Sequence, residues 1–150
     1  MPGFLPMKRW LGLDLGHVRI GVALSDTLGM TAQPLTVLKS EGTQKDIITI
    51  GGLVNEHEVS QVVVGLPINM DGTESKQTQK IREFTTKLSN RLNVPVFFID
   101  ERLTSRQAER MMTDSGVTAK KQRGKVDQIA AALLLQSALK GALLTEVPKA

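Results

Sequence analysis

The segment Gln61-Val62-Val63-Val64-Gly65-Leu66-Pro67 is the strongest constraint on what this chain can fold into. A continuous β-branched run offers no polar face to water, so it suits a strand covered on both sides. Pro67 and then Asn69-Met70-Asp71-Gly72 break it. Such a strand needs a sheet with a layer on each face, and helical periodicity supplies the layers. Residues 43–57 place Ile47, Ile50, Leu53 and Val54 at roughly helical spacing, although each glycine of Gly51-Gly52 costs about 1 kcal/mol relative to alanine. Residues 74–92 carry Ile81, Phe84, Leu88 and Leu92 on one stripe. Residues 94–99 read as another buried strand, ending at Asp100-Glu101.

The first forty residues have a different pattern. Residues 9–15 read as a buried strand ended by Gly16, and residues 19–26 as a second. The turn Gly16-His17-Val18 is too short for a parallel crossover, so the two strands form a hairpin. Residues 34–38 add a third strand. After Glu101, Thr104 can cap a helix, with Gln107 completing a capping box; that helix runs to about Asp114, where Ser115-Gly116 stops it. Residues 117–124 are polar and basic and predict a mobile surface loop. Residues 126–144, rich in Ala and Leu, predict the last helix. The order is β-β-β-α-β-α-β-α-α. It predicts an α/β domain with a mixed five-stranded sheet, three antiparallel strands then two parallel ones, flanked by helices. One domain spans 1–150, with residues 1–8 as a flexible tail.

Composition removes several kinds of chemistry. Cysteine is absent, which excludes disulfides, thiolate catalysis and Cys-ligated zinc, and two histidines are too few for a His-based metal site. No apolar run reaches about 18 residues, and the start, with two prolines, lacks the apolar stretch of a signal peptide, so a cytoplasmic protein without membrane contact is expected. The net charge of +4 and a pI near 9.6 favour a polyanionic partner. Lys120, Lys121, Arg123 and Lys125 lie directly before Asp127, where they could draw a phosphate chain toward acids. Four phenylalanines and one tryptophan, mostly placed as core, argue against a base-stacking platform.

Three acidic stretches carry the chemistry: Asp14 in Trp10-Leu11-Gly12-Leu13-Asp14-Leu15-Gly16, Asp100-Glu101 after Phe97-Phe98-Ile99, and Asp127 in Lys125-Val126-Asp127-Gln128. A carboxylate beside a core is costly unless paired, hydrogen-bonded or metal-bound. Any one of them could be a cap or turn residue; three from distant parts of one small domain point to a shared site. Hard cations such as Mg²⁺ prefer such oxygens. Asp14 and Asp100-Glu101 end strands that, if parallel, finish at the same sheet edge, where α/β sheets place their sites. Asp127 lies in the first turn expected of the last helix. Asp100 and Glu101 point to opposite faces as consecutive strand residues. The longer Glu101 is favoured as ligand, with Asp100 the alternative. Asp71 is a rival, more simply read as the turn residue of Asp71-Gly72.

The motifs Gly12-Leu13-Asp14-Leu15-Gly16, Arg19-Ile20-Gly21-Val22-Ala23 with Ser25-Asp26, and Val64-Gly65-Leu66-Pro67 with Asn69-Met70-Asp71-Gly72 resemble the YqgF/RuvX family. Asp100-Glu101-Arg102-Leu103-Thr104-Ser105 and Lys125-Val126-Asp127-Gln128-Ile129-Ala130-Ala131 do so as well. The resemblance spans about residues 9–140. It implies an RNase H-like fold and a bacterial cytoplasmic nuclease that hydrolyses phosphodiester bonds with two metal ions, Mg²⁺ or Mn²⁺. By matching motif, Asp14, Glu101 and Asp127 would be the catalytic acids and metal ligands. Family members are tied to maturation of the 5′ end of 16S rRNA, with Holliday-junction resolution an earlier assignment, so RNA stands ahead of DNA and pre-ribosomal particles are expected partners. Arg19, Lys120, Lys121, Arg123 and Lys125 are candidates to hold phosphates; Arg19 is otherwise a strand-end salt bridge, and the lysines a solvated loop. His17 reads as a turn residue, and Ser75-Lys76 as a weaker phosphate candidate at a helix N-terminus. Two other readings stay open: a junction resolvase, which needs a homodimer where an RNA nuclease could be a monomer, and a non-catalytic nucleic-acid or ribosome-binding factor.

Overall fold

The structure is a computed structural model that describes residues 9–104 and 119–150, with backbone alone over 119–128. The tail 1–8 and most of the helix expected over 104–114 lie outside the described residues. β1 (Arg9–Leu15), β2 (Arg19–Ser25) and β3 (Ala32–Lys39) form the expected antiparallel meander. Gly16 N–H donates to the Arg19 carbonyl at 2.8 Å, and a Cβ on Gly16 would stand 2.8 Å from that same oxygen. The β1–β2 turn therefore requires glycine. The β2–β3 turn is pinned by Asp26, whose Oδ1 accepts from the backbone N–H groups of Met30 (2.8 Å) and Thr31 (3.0 Å).

β4 (Val59–Leu66) pairs in parallel with β1, and β5 (Val96–Asp100) in parallel with β4. Along β4, Val62, Val64 and Leu66 enter one core while Val63 enters the other, and all three valines are fully buried. That is the two-sided burial the β-branched run predicts. α1 (Thr43–Glu56) and α2 (Lys76–Arg91) cover one face, packing Ile50, Ile81 and Leu88 on Leu11, Leu13 and Phe98. α3 (Ala119–Leu139) covers the other, setting Ala131, Leu134 and Leu135 against Ala23, Val63 and Ile99.

Two expectations are corrected here. Residues 119–124 belong to α3 rather than to a loop. Ala119, Lys120, Lys121, Gln122 and Arg123 are good helix formers, and their polarity does not oppose the helix. The last helix also ends earlier than expected, at Leu139 instead of 144. Gly141 adopts φ 99°, its N–H donates to the Ala138 carbonyl (3.1 Å), and Ala142 N–H donates to that of Ser137 (3.0 Å). This paired closure around a left-handed glycine terminates the helix. The chain released there forms a sixth strand, β6 (Leu144–Glu146), antiparallel to β5, so among the described residues the sheet has six strands instead of five, in the order β3-β2-β1-β4-β5-β6. Beyond it, buried Val147 donates to the Val96 carbonyl (2.8 Å). The Lys149 ammonium then donates to the carbonyls of Ser89 and Leu92 (3.1 Å to Leu92), at the end of α2 where backbone acceptors lack helical partners.

The hydrogen bonds to Asp26, that from Thr31 first, hold its carboxyl below the ordinary carboxylate range. With the folded pKa below the unfolded one, this stabilisation is present above the unfolded value of about 3.9 and is lost as pH falls through the folded value. Urea unfolding of wild type and Asp26→Asn across the acid range should show the wild type more stable near neutrality and the gap closing as the medium is acidified.

Candidate active site

Three parallel strands end side by side above one edge. Leu13 pairs with Val64, which puts Asp14 beside Gly65, and Gly65 pairs with Ile99. Side chains alternate along each strand. Leu11, Leu13 and Leu15 enter the α1/α2 core, whereas Gly12 meets α3. Asp14, two residues from Gly12, therefore shares the α3 face. On β5, Ile99 belongs to the α3 core, and Glu101 follows two residues later. Its side chain lies over Gly65: a Cβ there would stand 2.8 Å from Glu101 Oε1 and 3.3 Å from Glu101 Cγ. Asp14 and Glu101 thus face each other from the two sides of a glycine. Leu134 Cδ2, 3.0 Å from the same point, roofs the gap. Both acids are half-buried, and neither is isolated.

Asp100 has a different task. Its Oδ1 accepts from the Arg102 backbone N–H (2.9 Å), and its Oδ2 accepts from Arg102 Nε (3.0 Å) and Nη2 (2.8 Å). The guanidinium holds the Asp100 carboxyl below its usual range. Arg102 Nη1 reaches on to the Asn69 carbonyl at 3.4 Å, tying the loop after β4 to the single 3₁₀ turn Glu101–Leu103. Asp71 accepts from Thr73 N–H (3.0 Å) and Oγ1 (2.6 Å) ahead of Gly72 at φ 88°, which is the turn role. The Thr73 side-chain bond is the main reason its pKa is lowered, with Arg102 a lesser one.

Two hard-oxygen donors on one face suit Mg²⁺ or Mn²⁺ better than a softer metal. Among the described residues, no three His, Cys, Asp or Glu side chains gather into a metal-holding group. The third acid expected from the sequence, Asp127, belongs to α3. Ala131 O would be 3.1 Å from a Cβ on Gly12, and Gln136 binds Ala32 N–H (3.0 Å) and the Met30 carbonyl (3.1 Å) at the other end of the sheet. The N-terminal half of α3 therefore heads for the carboxyl edge of β1. Position 127 precedes Ala131 by four residues, about 6 Å of helix, which matches the roughly 6.6 Å from Gly12 to Asp14 along a strand. Its side chain lies outside the described residues, as do those of Lys120, Lys121, Arg123 and Lys125.

A family model described as RuvX, Holliday junction resolvase, matches residues 8–141. The chain belongs to the RuvX family. It is 44% identical over 140 residues, 93% of each chain, to a Syntrophus aciditrophicus protein named "Putative pre-16S rRNA nuclease". A Halothermothrix orenii protein of the same name is 43% identical over 131 residues, covering 87% of this chain and 94% of that one. Among solved structures, Thermus thermophilus RuvC in complex with a Holliday junction substrate superposes with a TM-score of 0.58 at 13% identity, over 91% of this chain and 99% of that chain. The Fowlpox virus resolvase with junction DNA gives 0.51 at 15%, over 87% and 98%. At that identity the likeness is one of fold, and the fold is the RNase H-like one that the motifs imply.

In this RuvX chain, Arg19 shares Asp14's face, because Ala23 on the same strand parity packs under α3 while Ile20 and Val22 enter the opposite core. Among the described residues Arg19 forms no ion pair, so the expected strand-end salt bridge is not found there. Lys39 lies directly opposite Arg19 and places a second cation beside the same edge. Sequence reasoning missed it, since the signal is the β2–β3 register. His17 sits in the β1–β2 turn and lines a cleft of about 280 Å³ with Asp46 and Lys80 on the α1/α2 side. Ser75 caps α2, accepting from Thr78 N–H at 3.2 Å.

Gly12 decides how closely α3 approaches β1, since a Cβ there would be 2.9 Å from Leu135 Cβ and 3.1 Å from the Ala131 carbonyl. Neither neighbour is a flexible tip. Gly12→Ala should lower the unfolding free energy by about 1–3 kcal/mol, read as a lower urea midpoint with an unchanged slope.

Proposed function

We propose that this RuvX-family protein is a metal-dependent nuclease that hydrolyses phosphodiester bonds in 5′-end maturation of pre-16S rRNA, in the cytoplasm and on pre-ribosomal RNA. The observation that carries this reading is the convergence of Asp14 and Glu101 on one face across Gly65, in a chain about 44% identical to relatives named for that process. Asp14, Glu101 and Asp127 are the metal ligands in this reading. Mg²⁺ or Mn²⁺ bound there supplies Lewis acidity and a water activated near neutral pH. The chain's own residues do the rest. The carboxylates fix where the ions stand on the rigid ends of β1 and β5, and Leu134 keeps bulk water from one side. In this reading Arg19 and Lys39 hold phosphates beside Asp14, and Lys120, Lys121, Arg123 and Lys125 are further candidates to do so. No side-chain nucleophile is required.

Cleavage of a single-stranded RNA carrying a precursor 16S 5′ extension tests the proposal, against a four-way DNA junction, with Mg²⁺, Mn²⁺ or EDTA. RNA cleavage by wild type with metal, reduced by about 100-fold or more in Asp14→Asn, is the expected result. Junction cleavage alone would instead favour the resolvase description of the family model and require a dimer. Metal-independent RNA binding without cleavage of either substrate would leave a binding factor.

The basic stretch of α3 makes a separate expectation. Replacing Lys120 and Lys121 by alanine should weaken RNA binding and make the slope of log K against log salt shallower by about 0.7 for each lost phosphate contact.

A further inference from the structure

We propose that Gly65 is a positioning residue for the acid pair: its missing side chain sets where the Glu101 carboxylate stands relative to Asp14, and thereby the affinity of the site for its metal. The inference rests on the reading that this pair binds metal. Gly65 directly follows three fully buried valines near the carboxyl end of β4, an inner strand of the sheet, where a glycine weakens the strand and packs nothing. The space it leaves is filled by Glu101. A Cβ at this point would lie 2.8 Å from Glu101 Oε1, 3.3 Å from Glu101 Cγ and 3.0 Å from Leu134 Cδ2.

Something must shift if that Cβ is added, and the neighbours decide what. Leu134 is 2% exposed and wedged between helix and sheet. The Glu101 backbone is also held, because its carbonyl accepts from both Thr104 N–H (3.1 Å) and Thr104 Oγ1 (2.8 Å). The atom nearest the added Cβ is Oε1, the far end of the long Glu101 side chain, and that end is what yields. Gly12 differs, since the nearest atoms to a Cβ there are Leu135 Cβ, the Ala131 carbonyl oxygen and Leu134 Cδ1, all on α3. Of these two glycines on the α3 face, the one at 12 sets packing and the one at 65 sets a carboxylate.

The test is a cycle of Gly65→Ala, Glu101→Gln and the double variant. Binding of Mn²⁺ alone is followed by electron paramagnetic resonance of the free ion, and urea unfolding is run in parallel. Gly65→Ala should weaken Mn²⁺ binding by about tenfold or more, the scale on which groups that orient ligands act. In the Glu101→Gln background the same change should alter affinity less than about twofold, because residues acting through one another are non-additive. Ile50→Val, a core change under α1 on the opposite face, should lower stability and leave Mn²⁺ affinity unchanged. Wild-type affinity in Gly65→Ala, or an equal loss with and without Glu101, overturns the proposal. Equal Mn²⁺ binding by wild type and Asp14→Asn would sink the metal reading itself. The positioning claim is then decided by the crystal structure of metal-free Gly65→Ala. There Glu101 Oε1 should move by at least about 0.6 Å, the shortfall from an ordinary 3.4 Å contact, and an unmoved carboxylate refutes it.

Discussion

Parallel pairing of β1, β4 and β5 is the constraint on which the rest of this molecule depends. It brings positions 14, 65 and 99, far apart along the chain, into one row, with Glu101 following at the same edge. Parallel strands need long crossovers, and α1 and α2 serve as those crossovers while also covering one face. The opposite face receives α3, which lies on bare backbone at Gly12 and leaves room for a carboxylate at Gly65. Charge is thereby held at the rim of a core, where water is partly excluded and electrostatic interactions are stronger than in bulk solvent. Two carboxylates brought together there repel each other, so the rim is expensive to maintain without cationic or hydrogen-bonding partners.

The pleat divides two adjacent acids between structure and chemistry. Asp100 turns to Arg102, and through it the loop after β4 is tied to the end of β5. Glu101 turns to the α3 face and Asp14's side. A one-residue slip in β5 would exchange them, putting the shorter acid over Gly65 and pointing the longer one at the arginine. The register of β5 between β4 and β6 is therefore as much a part of the site as the side chains are.

Much of this was legible in the residues. The β1–β2 hairpin followed from a turn too short for anything else, and two-sided burial of β4 from its unbroken valines. The place of Asp14 and Glu101 at one edge of the sheet followed from their position at the ends of β1 and β5. Failures came where local chemistry is ambiguous. Lys120 to Arg123 are at once loop-like in polarity and helix-forming in propensity, and a helix was formed. Gly141 did carry a helix-stop signal, but the apolar Ala142-Leu143-Leu144 after it looked like more helix; in fact Leu144 begins a strand and pairs with Ile99, 45 residues earlier. Lys39 beside Arg19 depends on hairpin register and has no one-dimensional signature. Gly65 had one, a glycine inside a β-branched run, and its meaning needed the side chain that lies over it.

The C-terminal segment has a consequence for how copies of this protein meet. Without β6, the long hydrogen-bonding margin of β5 would be open to any extended chain, the usual starting point for edge-to-edge aggregation. β6 covers it with three residues, Pro148 follows with no N–H to offer, and Lys149 anchors the segment to α2. The other margin, β3, carries Pro34 within it. Both rims of the sheet are thus blunted against strand addition, so copies of this protein can crowd together without their sheets joining edge to edge.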